Sequence, residues 1–484
     1  MSPFSPVRMC YQATLMRVRF APTFAYLGAC FAACAFVGAI PNCWSLIKSA
    51  TPALLYIGIA AILAFISTKL PLRIVPFTVM LGLVALALRL GWVLNASLPP
   101  TPDDDYGYYR DVSLSCLQGD WSGLIHTYYP WGYFLYLLAL GRLFGPSLLP
   151  PLVANAIIGS ATTILIYAIA RRFCEERNAR LAGAIYALWP GVIYWSAVFC
   201  TEIPHLLFFS AALLCLLVGL DSKRCAGLPL AAGGVLAGLA ELIRPLSPLI
   251  LLPFAFYAGT RGNARSESAG RLQKKAGWRR AALALGTFLT CLAVLLTAKS
   301  VVTGYPNFST SQTLGANLAS GLNWETRGAF SVEDGRIWYS EDPREANRRG
   351  IQVALGHLKA MWGHNWWQMP ALAVLKFQRI WSVESCGYYA SSQGLTGDQE
   401  KDHWLALYRN HLVAIGQFFH ALVLALAALG FWRTRRSGGL ALLGCILISF
   451  ALLHTVIEVD DRYHFAAQSL LAVAAACAFA TKKK

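Results

Sequence analysis

Three consecutive aspartates, Asp103, Asp104 and Asp105, form the first group of potentially catalytic side chains in this 484-residue chain. They lie in the stretch PPTPDDDYGYYR, directly after an apolar run and directly before a cluster of tyrosines. A carboxylate in this position can act as a general base that takes the proton of an attacking hydroxyl group. An acidic run at a helix end can also be only a solvated loop, so the pattern alone leaves both interpretations open.

Other charged residues lie at the ends of apolar runs, where an ionisable group is costly unless it faces a cavity or a partner. Arginine is well suited to bind phosphate, because its planar guanidinium group can donate two parallel hydrogen bonds. Carboxylates and arginines at one membrane surface would therefore suit a substrate that carries phosphate, with a base beside it. The residues of this group are Glu202, Arg244, Glu458, Asp460, Asp461 and Arg462, followed by Tyr463.

Three of these residues also have a structural interpretation. Glu202 could cap a helix together with Thr201 at the membrane interface. Arg244 precedes a proline and could extend its charged end into the interface, as long basic side chains do. Arg462 could pair only with the neighbouring Asp461. The residue types alone leave these alternatives open.

The composition predicts the class of protein. The chain is 56% hydrophobic and 13% charged, and its apolar runs are close to the roughly 20 residues that a helix needs to cross a bilayer. This indicates an all-α, polytopic helical membrane protein. The net charge of +17 does not indicate a nucleic-acid-binding protein, because the basic residues form short clusters between apolar runs, as the positive-inside rule describes. The cysteines form no CxxC pair, and His454 and His464 have no helical partner at metal-binding spacing, so no metal site is predicted.

Placing each basic cluster on the cytoplasmic side predicts about 12 transmembrane helices with both termini inside. The run 131–145 is short and begins with aromatic residues, which favours a helix lying on the outer surface. A turn at Arg244–Pro245 divides the run 226–259 into a hairpin of two short helices, because proline ends a helix. The other predicted spans are 20–40, 52–68, 74–94, 149–170, 181–199, 203–220, 281–302, 410–432, 439–457 and 463–480.

These spans divide the chain into five regions. We expect a cell-membrane protein (inner membrane) whose candidate residues all face the outside or the periplasm. The regions are N-terminal transmembrane helices at 1–94, a first outer loop with the aspartates and the interfacial helix at 95–148, a central transmembrane bundle at 149–302, a large outer segment at 303–409, and C-terminal transmembrane helices at 410–484.

The order of several motifs resembles a known family over roughly residues 75–480. The motifs are DDDYGYYRDVSLSCLQGDW, YYPWGYFLYLLALGRLFG, YAIARRF, FCTEIPHLLFF, GLAELIRPLSPLILL, SQTLGANLASGLNWETRG and DDRYHFAAQSLL. In this order they resemble the GT-C superfamily of membrane glycosyltransferases, specifically the family 39-like branch of protein O-mannosyltransferases and lipid A aminoarabinose transferases.

The resemblance implies transfer of a sugar from a polyprenyl-phosphate donor to an acceptor hydroxyl on a glycan, lipid or protein, at the outer face and in contact with membrane lipids. It implies no nucleic-acid partner and no cofactor. Adjacent aspartates could hold a divalent metal, but the resemblance does not require one. The implied catalytic residues are Asp104, Asp105 and Glu202. The implied donor-phosphate ligands are Arg244, Arg462 and Tyr463, and the supporting residues are Asp103, Tyr108, Tyr109 and Asp461.

Two other functions fit parts of the pattern. A secondary transporter can also have twelve helices, but transporters are often built from repeated halves, and no repeat is visible in this sequence. A lipid-polysaccharide polymerase or ligase shares large outer loops and outward-facing arginines, but it would not need the early aspartates.

Overall fold

The computed structural model describes residues 21–96, 105–222, 225–260, 267–335, 342–392, 399–435 and 439–480. All regular secondary structure in these residues is helical. Asp103 and Asp104 lie outside the described residues, and Asp105 is the first residue after that gap.

The α-helices fall into three stretches of the chain. The first holds α1 Ala21–Ser45, α2 Ala50–Lys69, α3 Ile74–Asn95, α4 Asp105–Leu117, α5 Ser122–Ile125, α6 Gly132–Phe144 and α7 Leu149–Ala170. The second holds α8 Glu176–Ala187, α9 Pro190–Tyr194, α10 Glu202–Asp221, α11 Gly227–Ile243, α12 Pro248–Thr260 and α13 Glu267–Thr303. The third holds α14 Leu314–Leu322, α15 Val332–Gly335, α16 Pro343–Met361, α17 Gln368–Trp381, α18 Cys386–Ser392, α19 Gln399–Thr434, α20 Ala441–His454 and α21 Phe465–Ala476.

Within the described residues, 7 helices are long and apolar enough to cross a membrane. The chain is therefore a multi-pass membrane protein, and the predicted all-α polytopic fold is confirmed. Helix α7 has the bounds predicted for it. The number of crossings, the orientation and the five regions stay predictions. The seven helices are α1, α2, α3, α7, α10, α13 and α19, and the shorter apolar helices are α6, α11, α12 and α20.

The predicted span 181–199 is wrong as a continuous helix. It is divided into α8, α9 and a 3₁₀ turn at Trp195–Ala197. Pro190 excludes its predecessor from the helical region, and Trp189 is accordingly extended, with φ −73° and ψ 114°. Residues 182–200 are all buried. This part of the chain is thus interior packing.

The predicted span 463–480 is helical, but its α-helix is shorter than predicted and has a 3₁₀ turn at each end. The segment begins with a 3₁₀ turn, Asp461–His464, and α21 starts only at Phe465. By contrast, the predicted hairpin turn is confirmed. Helix α11 ends at Ile243, and Arg244 is extended, with φ −145° and ψ 131°, because Pro245 follows it.

Close backbone contacts position the segment around residue 460. Helix α14 packs so tightly on it that a Cβ atom at Gly321 would lie 2.2 Å from the Ile457 carbonyl carbon. The Glu458 amide donates to the Asn317 carbonyl of α14 at 2.7 Å, and the Val459 amide donates to the Gly328 carbonyl, in the loop after α14, at 2.9 Å. The large segment between α13 and α19 therefore supports the charged residues that follow α20.

Candidate active site

Asp105 lies in a small polar cluster built by three distant parts of the chain. It opens α4, where the positive end of the helix dipole favours a carboxylate. Its carboxylate accepts a hydrogen bond from Arg462 Nη2 at 3.0 Å and one from the Tyr129 hydroxyl at 2.5 Å. Arg462 lies in the 3₁₀ turn before α21. The fold thus brings one predicted base and one predicted phosphate ligand into direct contact.

Glu202 and Arg244 form a second ion pair in the same site. Arg244 Nη1 donates to the Glu202 carboxylate and, at 3.2 Å, to the Thr201 hydroxyl. The Glu202 side chain is 5% exposed and that of Arg244 is 20% exposed. Glu202 is the first residue of α10, and Arg244 follows α11, which packs on α10.

Tyr463 connects the two ion pairs. The centre of its ring lies 5.6 Å from Arg244 Cζ and 5.3 Å from Arg462 Cζ, within the range of cation–π attraction. Its hydroxyl donates to Glu458 Oε1 at 3.2 Å. Burial raises the pKa of the Glu458 carboxyl, and the positive charge of Arg462 offsets part of that rise. Two arginines, one tyrosine and three carboxylates that the sequence singled out, those of Asp105, Glu202 and Glu458, therefore share one site.

The tyrosines predicted to support the aspartates pack around Tyr129. The rings of Tyr108 and Tyr109 lie 5.8 Å and 5.0 Å from the Tyr129 ring, centre to centre. Burial raises the pKa of the Tyr129 hydroxyl well above its ordinary value, so that this group stays a hydrogen-bond donor. Tyr129 was not among the predicted site residues. The aromatic run to which it belongs predicts an interfacial helix and gives no site residue.

Tyr106 is a second residue that the sequence reasoning missed. Its hydroxyl lies 3.4 Å from Arg462 Nη1, from which it accepts a hydrogen bond, and its ring lies 6.0 Å from Arg462 Cζ. The tyrosine directly after Asp105 therefore contacts the same arginine as the aspartate does. Its adjacency to the aspartates was the available sequence signal.

Asp461, predicted as a supporting residue, binds the residues at the start of α18. Its Oδ2 atom accepts hydrogen bonds from the Ser385 amide, the Ser385 hydroxyl and the Cys386 amide, at 3.0, 2.8 and 2.8 Å. Asp461 thus caps the start of α18 and is not the ion-pair partner of Arg462. Its neighbour Asp460 lies nearer to that arginine, with Oδ2 3.7 Å from Arg462 Nε.

This arrangement has the parts that a group transfer from a phosphate needs. Asp105 is 34% exposed and can be reached by a second substrate. A guanidinium group has five N–H donors, and the hydrogen bonds described above use Nη1 and Nη2 of Arg462 and Nη1 of Arg244. Arg244 and Arg462 are 20% and 18% exposed, so their guanidinium groups are partly accessible beside the carboxylates.

Comparison with known families bears on this site. The model of the dolichyl-phosphate-mannose-protein mannosyltransferase family matches residues 130–299. This match confirms the resemblance to the GT-C superfamily of glycosyltransferases. The matched segment of this GT-C-like chain includes Glu202 and Arg244, whereas Asp105 and Arg462 lie on either side of it.

Solved structures of two GT-C-like proteins are similar to this chain. One is the archaeal oligosaccharyltransferase AglB from Archaeoglobus fulgidus in complex with an inhibitory peptide and a dolichol-phosphate, with 15% identity, a TM-score of 0.42, and coverage of 82% of this chain and 49% of that one. The chain thus spans about half the length of AglB. The other is ArnT from Cupriavidus metallidurans bound to undecaprenyl phosphate, with 16% identity, a TM-score of 0.40, and coverage of 83% of this chain and 78% of that one. No curated protein matches the chain.

Proposed function

We propose that this protein is an integral membrane glycosyltransferase that moves a sugar from a polyprenyl-phosphate donor to an acceptor hydroxyl at the outer face of the membrane. The observation that carries the proposal is the contact between Asp105 and Arg462, beside the pair of Glu202 and Arg244. The family match to dolichyl-phosphate-mannose-dependent transferases supports a lipid-phosphate sugar as the donor.

In this proposal Asp105 is the general base. Its carboxylate takes the proton of the acceptor hydroxyl while the acceptor oxygen forms a bond to the anomeric carbon. The bond from that carbon to the phosphate oxygen breaks, and the electron pair leaves with the polyprenyl phosphate. Base assistance of this kind contributes about 10²–10⁴-fold to a rate.

Arg462 and Arg244 bind the leaving phosphate, whose negative charge grows as the bond breaks. Fixed positive groups at the position where charge develops stabilise the transition state more than the ground state. Arg462 also donates to Asp105, so one guanidinium group would set the distance between base and phosphate. The Tyr463 ring, which contacts both arginines, keeps them side by side.

Glu202 acts in this proposal through Arg244 and not as the base. Its side chain is nearly inaccessible, whereas Asp105 is partly exposed. An acceptor hydroxyl can therefore reach Asp105 more readily. Asp104 lies outside the described residues and stays the alternative base, with Asp103 as a supporting neighbour.

The proposed reaction takes place outside the cytoplasm, with both termini cytoplasmic. The support is the distribution of basic clusters along the sequence, which the positive-inside rule places on the cytoplasmic side. The donor's polyprenyl chain would remain in the bilayer, and the acceptor would be a glycan, a lipid or a protein hydroxyl. No nucleic acid and no cofactor take part in the proposed chemistry.

The test is a donor-consumption assay with the purified protein in lipid nanodiscs. A panel of undecaprenyl-phosphate sugars, each radiolabelled in the sugar, is incubated with the protein and with membrane extract as the source of acceptors. We expect one donor to be consumed, with release of undecaprenyl phosphate and appearance of label in a product. If no sugar in the panel is consumed, the proposed function is wrong.

The base is tested with the consumed donor. Asp105→Asn keeps the shape but cannot take a proton, so we expect turnover to fall by about 10² or more with donor binding retained. Asp111→Asn is the matched control, because Asp111 lies on the same helix, is 47% exposed and pairs with Arg110. Asp103→Asn should be tolerated. Normal turnover in Asp105→Asn together with its loss in Asp104→Asn would move the base to Asp104.

A further inference from the structure

We propose that Glu384, His420, His464 and Gln468 form a binding site for one divalent transition-metal ion, with zinc as the best-fitting ion. Three separate segments meet there: the turn after α17, the middle of α19, and the 3₁₀ turn that leads into α21. Glu384 Oε2 lies 2.9 Å from His464 Nε2 and 3.4 Å from His420 Nδ1. All three side chains are buried, and one ligand atom of each lies within 4.8 Å of the others.

The hydrogen bond between His420 and the Trp381 carbonyl determines which ring nitrogen of His420 carries the hydrogen and which one has a free lone pair. His420 Nε2 lies 3.0 Å from the Trp381 carbonyl oxygen. A carbonyl only accepts, so Nε2 carries the hydrogen, and the neutral ring presents the lone pair of Nδ1 to Glu384 Oε2. Two acceptors then face each other in a buried site, which is unfavourable unless a cation lies between them. Metal-bound histidines commonly donate their second N–H to a backbone carbonyl in this way.

Gln468 offers a fourth ligand. It is fully buried one helical turn after His464, and its Nε2 lies 2.6 Å from Glu384 Oε2 and 3.0 Å from His464 Nε2. Its Oε1 has no hydrogen-bond partner among the residues that the structure describes. Rotating the amide by 180° exchanges these two atoms and places the oxygen beside the other ligand atoms. The resulting set of two imidazole nitrogens and two oxygens suits tetrahedral zinc.

The distances are close to those of a loaded site. Tetrahedral zinc with bonds of about 2.0–2.1 Å places neighbouring ligand atoms about 3.3 Å apart. The separation between His420 Nδ1 and Glu384 Oε2 is 3.4 Å, and that between His464 Nε2 and Glu384 Oε2 is 2.9 Å. The second would need to widen by a few tenths of an ångström. The flipped Gln468 oxygen would need to move about 0.7 Å farther from Glu384 Oε2, from 2.6 Å, and about 0.3 Å farther from His464 Nε2, from 3.0 Å.

The surroundings hold Glu384 in place. Its carboxylate lies against Gly191, where a Cβ atom would be only 1.9 Å from Glu384 Oε1. Its backbone amide donates to Gln417 Oε1 at 2.9 Å, one turn before His420 on α19. A closed site of this kind is structural and not catalytic. Because His464 follows Arg462 by two residues, the ion would fix the turn that carries the predicted phosphate ligands.

The experiment measures bound metal and does not depend on the proposed reaction. The full-length protein, without an affinity tag made of histidines, is loaded with zinc, washed with a weak chelator and analysed by elemental mass spectrometry. We expect about one zinc per chain in the wild type and at most about one tenth in His420→Ala and His464→Ala. His454→Gln is the matched control, because His454 is also buried but its Nδ1 donates to the Phe450 carbonyl at 2.7 Å and it lies outside the proposed ligand set. This variant should retain the metal.

A cobalt-loaded sample of the wild type gives a second measurement that needs no variant. Cobalt in a tetrahedral site with nitrogen and oxygen ligands should show strong visible absorption, which added zinc should abolish. Wild-type protein that retains no zinc after loading and shows no such absorption would overturn the proposal, and the His420–Glu384 contact would then hold a proton. Equal loss of zinc in His454→Gln would overturn it as well.

Discussion

Variants of the ion pair between Glu202 and Arg244 can distinguish a positioning role of Glu202 from a catalytic one. Glu202 is 5% exposed and Arg244 20%, and removing one partner of a buried ion pair typically costs about 3–5 kcal/mol of stability. For Glu202→Ala we expect about 3 kcal/mol, because Arg244 is partly exposed and keeps the Thr201 hydroxyl at 3.2 Å. For Arg244→Ala we expect about 5 kcal/mol, because the remaining carboxylate is almost fully buried.

The double variant should be less destabilised than the sum of the single variants. Neither charge then remains without its partner, so we expect a coupling free energy of about 2 kcal/mol or more. The assay is unfolding of the purified protein by a denaturing detergent, followed through tryptophan fluorescence. The two single variants, the double variant and the wild type form one thermodynamic cycle.

Glu202→Gln separates the two roles kinetically. The amide keeps the shape and can still accept a hydrogen bond from Arg244, so a positioning role predicts a donor kcat/KM lowered by only about tenfold, with a raised donor KM as part of the loss. A catalytic base would instead lose about 10²-fold or more in kcat while the donor still binds. Additive stability changes in the cycle, together with a loss confined to kcat in Glu202→Gln, would refute the proposal that Glu202 acts by positioning Arg244.

Three further outcomes follow from the structure. Arg462→Ala should lower kcat/KM for the donor by about 10²–10³-fold, because this side chain contacts Asp105 and the proposed phosphate. Arg462→Lys should retain only part of the activity, because lysine lacks the planar fork. Wild-type kinetics in Arg462→Ala would contradict the proposed phosphate binding. In a variant without native cysteines, a membrane-impermeant thiol reagent on intact cells should label Arg348→Cys but not Lys274→Cys. Both positions are exposed, but only position 348 is predicted to be outside. The reverse labelling pattern would invalidate the predicted topology. Gly191→Ala should destabilise the protein by about 1–3 kcal/mol in the same unfolding assay, because the new Cβ would meet Glu384. The control Gly286→Ala on α13 has open space around it and should be neutral or stabilising by up to about 1 kcal/mol. Equal stability of the two variants would contradict this expectation.

The sequence alone determined the helical membrane fold, the bounds of one span and the turn at Arg244. Hydropathy is a property of a contiguous run, so α7 could be predicted at 149–170. Proline acts on its immediate neighbour, so the extended conformation of Arg244 before Pro245 could be predicted as well. The same local rule applied to Pro190, but the uninterrupted apolar composition around it favoured a continuous span, and the break between α8 and α9 was missed.

The residue types of the candidate site were also visible in the sequence. A charged side chain at the end of an apolar run is conspicuous because it is costly there, which singled out Glu202, Arg244 and Arg462. The sequence could not pair them. Arg462 was equally compatible with Asp461 beside it and with Asp105, which is 357 residues away.

Only the tertiary structure decided these pairings. It turned Asp461 to the start of α18, left Arg462 to Asp105, and placed the Tyr129 hydroxyl on the same carboxylate. It also brought His420 and His464 to one glutamate, although no metal site was predicted from the sequence. The physical reason is that helical periodicity determines which residues share a face of one helix, whereas the partner of that face depends on how distant helices pack.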